Sequence, residues 1–157
     1  MRYLGLDVHS HATGWCLLDD SGETVERGKV STTAPALASL VKRLSEDGEL
    51  LAAQEIGTMS YFVHDVPTEA GVKLLSCNAQ QRRMIASSRK KTDKRDAYWL
   101  AKGLGSGMMP HPVYLPSGKV RRLRQLLAQR AALRSDRTRW LLRAKTCIRA
   151  TGCQVPR

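Results

Sequence analysis

The sequence predicts an α/β fold, a mixed sheet flanked by helices, followed by a long basic helix outside it. Three observations predict this. Residues 2–31 break into strand-like runs joined by short turns. Residues 34–104 alternate helical periodicity with short apolar runs. Residues 119–150 lack Pro and Gly altogether and carry eleven Lys/Arg against one acid, Asp136.

The elements follow in order. RYLGLDV (2–8) and TGWCLLD (13–19) read as strands, with Asp19-Asp20-Ser21-Gly22 as a turn. Residues 23–31 alternate weakly and read as a third, more exposed strand, giving an antiparallel meander. Thr33 is the expected N-cap of a helix over 34–46, where Leu37, Leu40, Val41 and Leu44 fall at i, i+3, i+4 and i+7. ELLAAQ (49–54) reads as a short buried strand ending at Glu55. Residues 58–70 read as a helix that Pro67 kinks or shortens. VKLLSC (72–77) is the next strand and 79–87 a short helix. Residues 93–104 form a further helix, with Thr92 as its N-cap and Gly103, Gly105 and Gly107 ending it. Residues 108–118 are a proline-rich stretch. Val120, Leu123, Leu127, Leu141 and Ile148 give the last helix a loose apolar stripe. The expected division is a catalytic-type domain over 1–108, a connector over 109–118 and a basic helical or coiled-coil arm over 119–157.

Charge and cysteines narrow the partners. The chain has 157 residues, 42% of them hydrophobic, and a net charge of +12. That size suits one core with an appended helix. That charge points first to nucleic acid and second to an anionic membrane surface. No apolar run approaches the ~18 residues a membrane span needs. Asp7 interrupts the N-terminus too early for an export signal. Cys16, Cys77, Cys147 and Cys153 form no CxxC pair, which excludes the usual zinc spacing, and a reducing cytoplasm is the expected location. Cys16 and Cys77 lie in apolar runs and read as core. Trp15, Trp99 and Trp140 read as packing residues, and His9 and His11 as turn residues. His64 and His111 have no evident partner.

The acidic residues carry the chemistry. Asp7 lies inside an apolar strand, where a carboxylate is costly unless it is paired or metal-bound. Glu55 ends the next long buried strand, and open sheets place ligands at strand ends. Asp93 and Asp96 are three residues apart at the start of a helix, so one face can carry both. A β-meander followed by alternating helices and strands is compatible with a ribonuclease H-like sheet, in which these four could converge. Hard oxygen ligands of this kind suit Mg²⁺ or Mn²⁺. Two such ions roughly 3.5–4 Å apart would clamp the attacking and leaving oxygens of a phosphodiester. Arg82, Arg83, Arg89, Lys90, Lys91, Lys94 and Arg95 surround the second acidic pair and would hold backbone phosphates. The competing reading keeps Asp93 as a helix-dipole partner and Asp96 as an ion-pair partner of Lys91, Lys94 or Arg95.

Four segments resemble, in order, the N-terminal part of the insertion-sequence one-ten (DEDD) transposases, related to the pilin gene invertases. YLGLDVHSHATGWCLLDDSGE (3–23) is similar to the family's opening GxDVHK strand pair, with Ser10 where the family usually has Lys. AAQEIGTMSYFVHDVPTEAGVKLLSCNAQQRRMIA (52–86) is similar to its glutamate strand, helix and following strand. SSRKKTDKRDAYWLAKGL (87–104) contains its KTD-x-x-DA signature. VYLPSGKVRRLRQLLAQRAALRSDRTRWLLRAKTCIRATG (113–152) is similar to its Arg-rich helical segment. The resemblance implies a RuvC-like, ribonuclease H-type fold with a DEDD tetrad of Asp7, Glu55, Asp93 and Asp96. It also implies a homo-oligomeric DNA recombinase, guided in members of the family by a structured RNA. The basic arm, with Arg121, Arg122 and Arg124, would then help assembly and RNA binding.

The family's C-terminal domain, with its proposed nucleophilic serine, has no counterpart before Arg157. This chain is therefore expected to bind metal and nucleic acid without completing recombination. A non-catalytic module that binds structured RNA and self-associates is the alternative. A cellular junction resolvase fits KTDKRDA and the Arg-rich arm less well.

Overall fold

A computed structural model describes residues 1–78 and 93–154, leaving aside the side chains of 93–95. The helix expected over 79–87 and the Thr92 cap lie outside the described residues. Two compact units divide between Tyr114 and Leu115.

The first unit, Met1–Tyr114, is built on a five-stranded mixed sheet of order β3-β2-β1-β4-β5. The strands are β1 (Arg2–Val8), β2 (Ala12–Leu18), β3 (Thr24–Ser31), β4 (Leu50–Glu55) and β5 (Lys73–Cys77). β1 to β3 form the antiparallel meander, whereas β4 pairs parallel to β1 and β5 parallel to β4. Helices α1 (Ala34–Ser45), α2 (Ser60–Glu69) and α3 (Asp93–Gly105) complete the unit. This is an α/β fold consistent with the ribonuclease H type.

Strand alternation splits the core in two. Leu4 and Leu6 of β1, Trp15 and Leu17 of β2, and Leu50 and Ala52 of β4 pack with α1 and α2. The intervening residues face the other way. There Cys16 and Leu18 meet Ala97 and Ala101 of α3, and Ala53 and Cys77 meet Leu100 and Leu104. The stripe Leu37, Leu40, Val41 and Leu44 is buried as its spacing required. Each fully buried side chain of this size contributes about 1.5–3 kcal/mol. β3 is the exposed edge strand; Arg43 of α1 reaches it with two bonds to Glu26, at 2.7 and 3.1 Å.

Several local expectations need correction. Thr33 occupies the N-cap position of α1, but its hydroxyl makes no capping bond. Pro35 in the first turn has no N–H to satisfy, which lessens the need for one. The helix expected over 58–70 is the shorter α2, Ser60–Glu69, with Pro67 inside it near its end. Gly103 does not end α3 but lies within it, whereas Gly105 is its last residue. A Cβ on Gly105 would stand 3.1 Å from the Tyr3 ring, and one on Gly103 would stand 2.9 Å from Met109 Sδ. Both glycines therefore serve packing. The chain turns out of the helix at Gly107, whose φ is +67°.

The second unit, Leu115–Arg157, is dominated by α4 (Gly118–Ala150), 33 residues with none buried. Trp140, expected to pack, is 65% exposed, with the Arg143 guanidinium 5.1 Å from its ring centre. No helix among the described residues is long and apolar enough to cross a membrane.

The tightest contact in the first unit is at Gly5. A Cβ there would collide with the Ala97 carbonyl oxygen and stand 2.7 Å from the Ala101 nitrogen. Those are backbone atoms, so the whole helix would have to move. Gly5→Ala is expected to cost about 2–3 kcal/mol, a fall of roughly 5–10 °C in melting temperature. Gly14→Ala, whose Cβ would meet Asp7 at an ordinary 3.8 Å, is the control. Equal melting temperatures for both variants would contradict this packing.

Candidate functional site

The site starts from two strand ends. β1 and β4 run parallel with Leu6 opposite Gln54. Asp7 and Glu55 follow one residue further along each strand, with backbones about 4.8 Å apart. Side chains two apart in a strand share a face. Asp7 therefore lies on the face of Gly5, and Glu55 on the face of Ala53, which is the face covered by α3.

Helix α3 runs antiparallel to β1 over that face. Gly105 lies against Tyr3, and Ala97 with Ala101 against Gly5. The helix consequently begins over the Asp7 end of the strand. Its first turn carries Asp93 and Asp96, and Asp96 is partly buried. The positive end of the helix dipole also lies there, which favours carboxylates.

Local bonding fixes both strand ends. The Asp7 side chain is 18% exposed, and its Oδ2 lies 3.1 Å from His9 Nε2. The His9 carbonyl accepts a bond from Thr32 Oγ1 at 2.8 Å, and the Thr13 and Thr32 hydroxyls are 2.9 Å apart in the interior. Beyond Glu55, Ile56 N donates to Cys77 O at 2.9 Å. Gln54 is fully buried and donates from Nε2 to Ser60 O and Ser76 Oγ at 2.9 and 3.0 Å. Ser60 Oγ in turn bonds the N–H and carbonyl of Gly57. The turn after Glu55 is thus tied to both α2 and β5.

The structure brings Asp7, Glu55 and Asp96 to one face and one end of the sheet, with Asp93 three residues ahead of Asp96 on the same helix. Among the described residues, no three or more His, Cys, Asp or Glu side chains converge as a metal-binding group. The donor chemistry is all hard oxygen, which fits Mg²⁺ or Mn²⁺.

The basic residues divide. Lys94 and Arg95 sit in the first turn of α3 between the two aspartates. Arg82, Arg83, Arg89, Lys90 and Lys91 lie outside the described residues. Arg121 is partly buried and donates from Nε to Pro116 O at 2.8 Å, whereas Arg122 and Arg124 are exposed on α4.

His9 is the residue sequence reasoning undervalued. It is a turn residue as expected, yet it also touches Asp7. The signal was its i+2 spacing from Asp7 at a strand end, which favours the same side of the chain.

A comparison with protein families matches residues 4–152 to a transposase family, the DEDD transposases of the IS110 type. No curated protein matches the chain. The matched span includes every carboxylate considered above and all of α4. The chain belongs to the IS110-type DEDD transposase family.

Proposed function

We propose that the chain is the N-terminal portion of a DNA transposase whose phosphodiester chemistry takes place at Asp7, Glu55, Asp93 and Asp96, with structured-RNA guidance in the full-length protein. One observation carries this reading. Two carboxylates end adjacent parallel strands on the face where the helix bearing the other two begins. Family membership supports DNA as the substrate.

A divalent ion, or a pair of them, held there would stabilise the charge developing on the attacking and leaving oxygens of a phosphodiester. The chain's own groups do the rest. Asp7 and Glu55 offer oxygens from a rigid sheet, and Asp93 and Asp96 from a helix packed directly on it. Such placement on regular elements keeps a ligand set within narrow tolerance. Lys94 and Arg95, with the basic residues of 82–91, would hold the phosphates flanking the scissile bond.

The alternative, a non-catalytic module that binds structured RNA and self-associates, draws on α4. A helix of 33 residues with no buried side chain, bearing eleven Lys/Arg over 119–150, fits a polyanion along its length. Both roles can reside in one chain, the first in the sheet unit and the second in the helix.

Asp7→Asn or Asp96→Asn in the full-length transposase is expected to reduce strand cleavage at least about 10³-fold, corresponding to several kcal/mol of transition-state stabilisation. Cleavage within tenfold of wild type for both variants would contradict the catalytic reading. Arg122→Glu combined with Arg124→Glu is expected to weaken nucleic-acid binding and to lower the log–log salt slope by about 2. An unchanged slope would remove α4 from the interface.

A further inference from the structure

We infer that His9 is a positioning residue for Asp7, holding its carboxylate in one orientation for metal binding. The inference rests on the metal-centre reading above. His9 Nε2 and Asp7 Oδ2 are 3.1 Å apart, a hydrogen bond in which the imidazole N–H donates to the carboxylate.

The ring does not sit on a loose loop. Its own carbonyl accepts from Thr32 Oγ1 at 2.8 Å, and Thr32 N donates to His11 O at 3.0 Å. Thr32 is only 7% exposed and Thr13, whose hydroxyl meets it at 2.9 Å, is fully buried. This buried threonine pair ties the β1–β2 turn to the end of β3 and so fixes where the imidazole begins.

His9 itself is 59% exposed, so it does not fill the core. Its one evident contact with the site is polar. A carboxylate at a strand end has more than one staggered rotamer open to it. A fixed donor at Oδ2 selects among them and leaves the carboxylate charge intact. Groups that bond a ligating carboxylate in this way commonly contribute 10–100-fold to metal affinity.

The test is Mn²⁺ binding to this chain by calorimetry, with wild type, Asp7→Asn, His9→Ala and His9→Gln compared and melting temperatures recorded. His9→Ala is expected to raise the Mn²⁺ Kd about 10–100-fold, and His9→Gln, which keeps an N–H donor, to restore it to within about threefold. Because His9 is exposed, melting temperatures should agree within about 2 °C. Wild-type affinity in His9→Ala, with binding abolished in Asp7→Asn, would overturn the role of His9 and leave the metal centre standing. Equal losses in His9→Ala and His9→Gln would also overturn it, since no donor would then be involved. Wild-type affinity in Asp7→Asn, or no Mn²⁺ binding by wild type, would remove the metal centre itself and this inference with it.

Discussion

The Ala97 and Ala101 backbone of α3 rests on β1 at Gly5, a residue with no side chain. Helices normally stand off a sheet by the depth of the side chains between them. Here that layer is missing on the sheet side and is only alanine on the helix side. The remaining contacts follow from this approach. Cys16 and Leu18 close one flank, and Ala53, Cys77, Leu100 and Leu104 close the other. With the helix seated and antiparallel to β1, its first turn has one place to go, over the strand ends at Asp7 and Glu55. A packing constraint at one glycine thereby sets where the first turn of α3 lies relative to Asp7, two residues away.

The electrostatics of that sheet end are layered. Carboxylates placed toward one end of a sheet repel one another where they approach, unless positive charge offsets them. The N-terminus of α3 supplies part of it through its dipole, and Lys94 and Arg95 bring formal charges to the same turn. Asp7 is further bonded to His9. A helix N-terminus favours nearby negative charge whether or not a cation is bound, so the ion-pair reading and the proposed metal reading share a physical basis. The proposed metal reading draws on origin: Asp7, Glu55 and Asp96 come from three separate elements and lie toward one end of the parallel strands, where α/β sheets hold their ligands.

Much of this was legible in the sequence. RYLGLDV is apolar on both of its faces, which marks a central strand, and its one acid stands out for that reason. The leucine stripe of α1 reads directly from spacing, and KTDKRDA is a specific match to the family that the ordered set of segments around it strengthens. Other features depend on distant partners and leave no local trace. The parallel pairing of β1 with β4 joins segments more than forty residues apart in the chain, well beyond the roughly twelve that a parallel crossover needs, so spacing does not reveal it. Gly103 looked like a helix terminator, as Gly105 is, because a glycine's conformational freedom is visible in sequence, whereas the Met109 and Tyr3 side chains packed against these glycines are not. Trp140 looked like a core residue because indoles usually are, yet among the described residues of its unit it stays largely exposed on α4. Gly5 was unremarked for the same reason as Gly105: its value lies in what approaches it.

The central claim is that one cation site draws together the ends of β1 and β4 and the start of α3. Line broadening of backbone amide resonances by substoichiometric Mn²⁺ tests it most directly. Selective loss of signal from residues 6–9, 54–57 and 93–97 within the sheet unit is the expected result. Broadening spread instead over exposed acids remote from that sheet end, such as Asp20, Glu46 and Asp47, would contradict it.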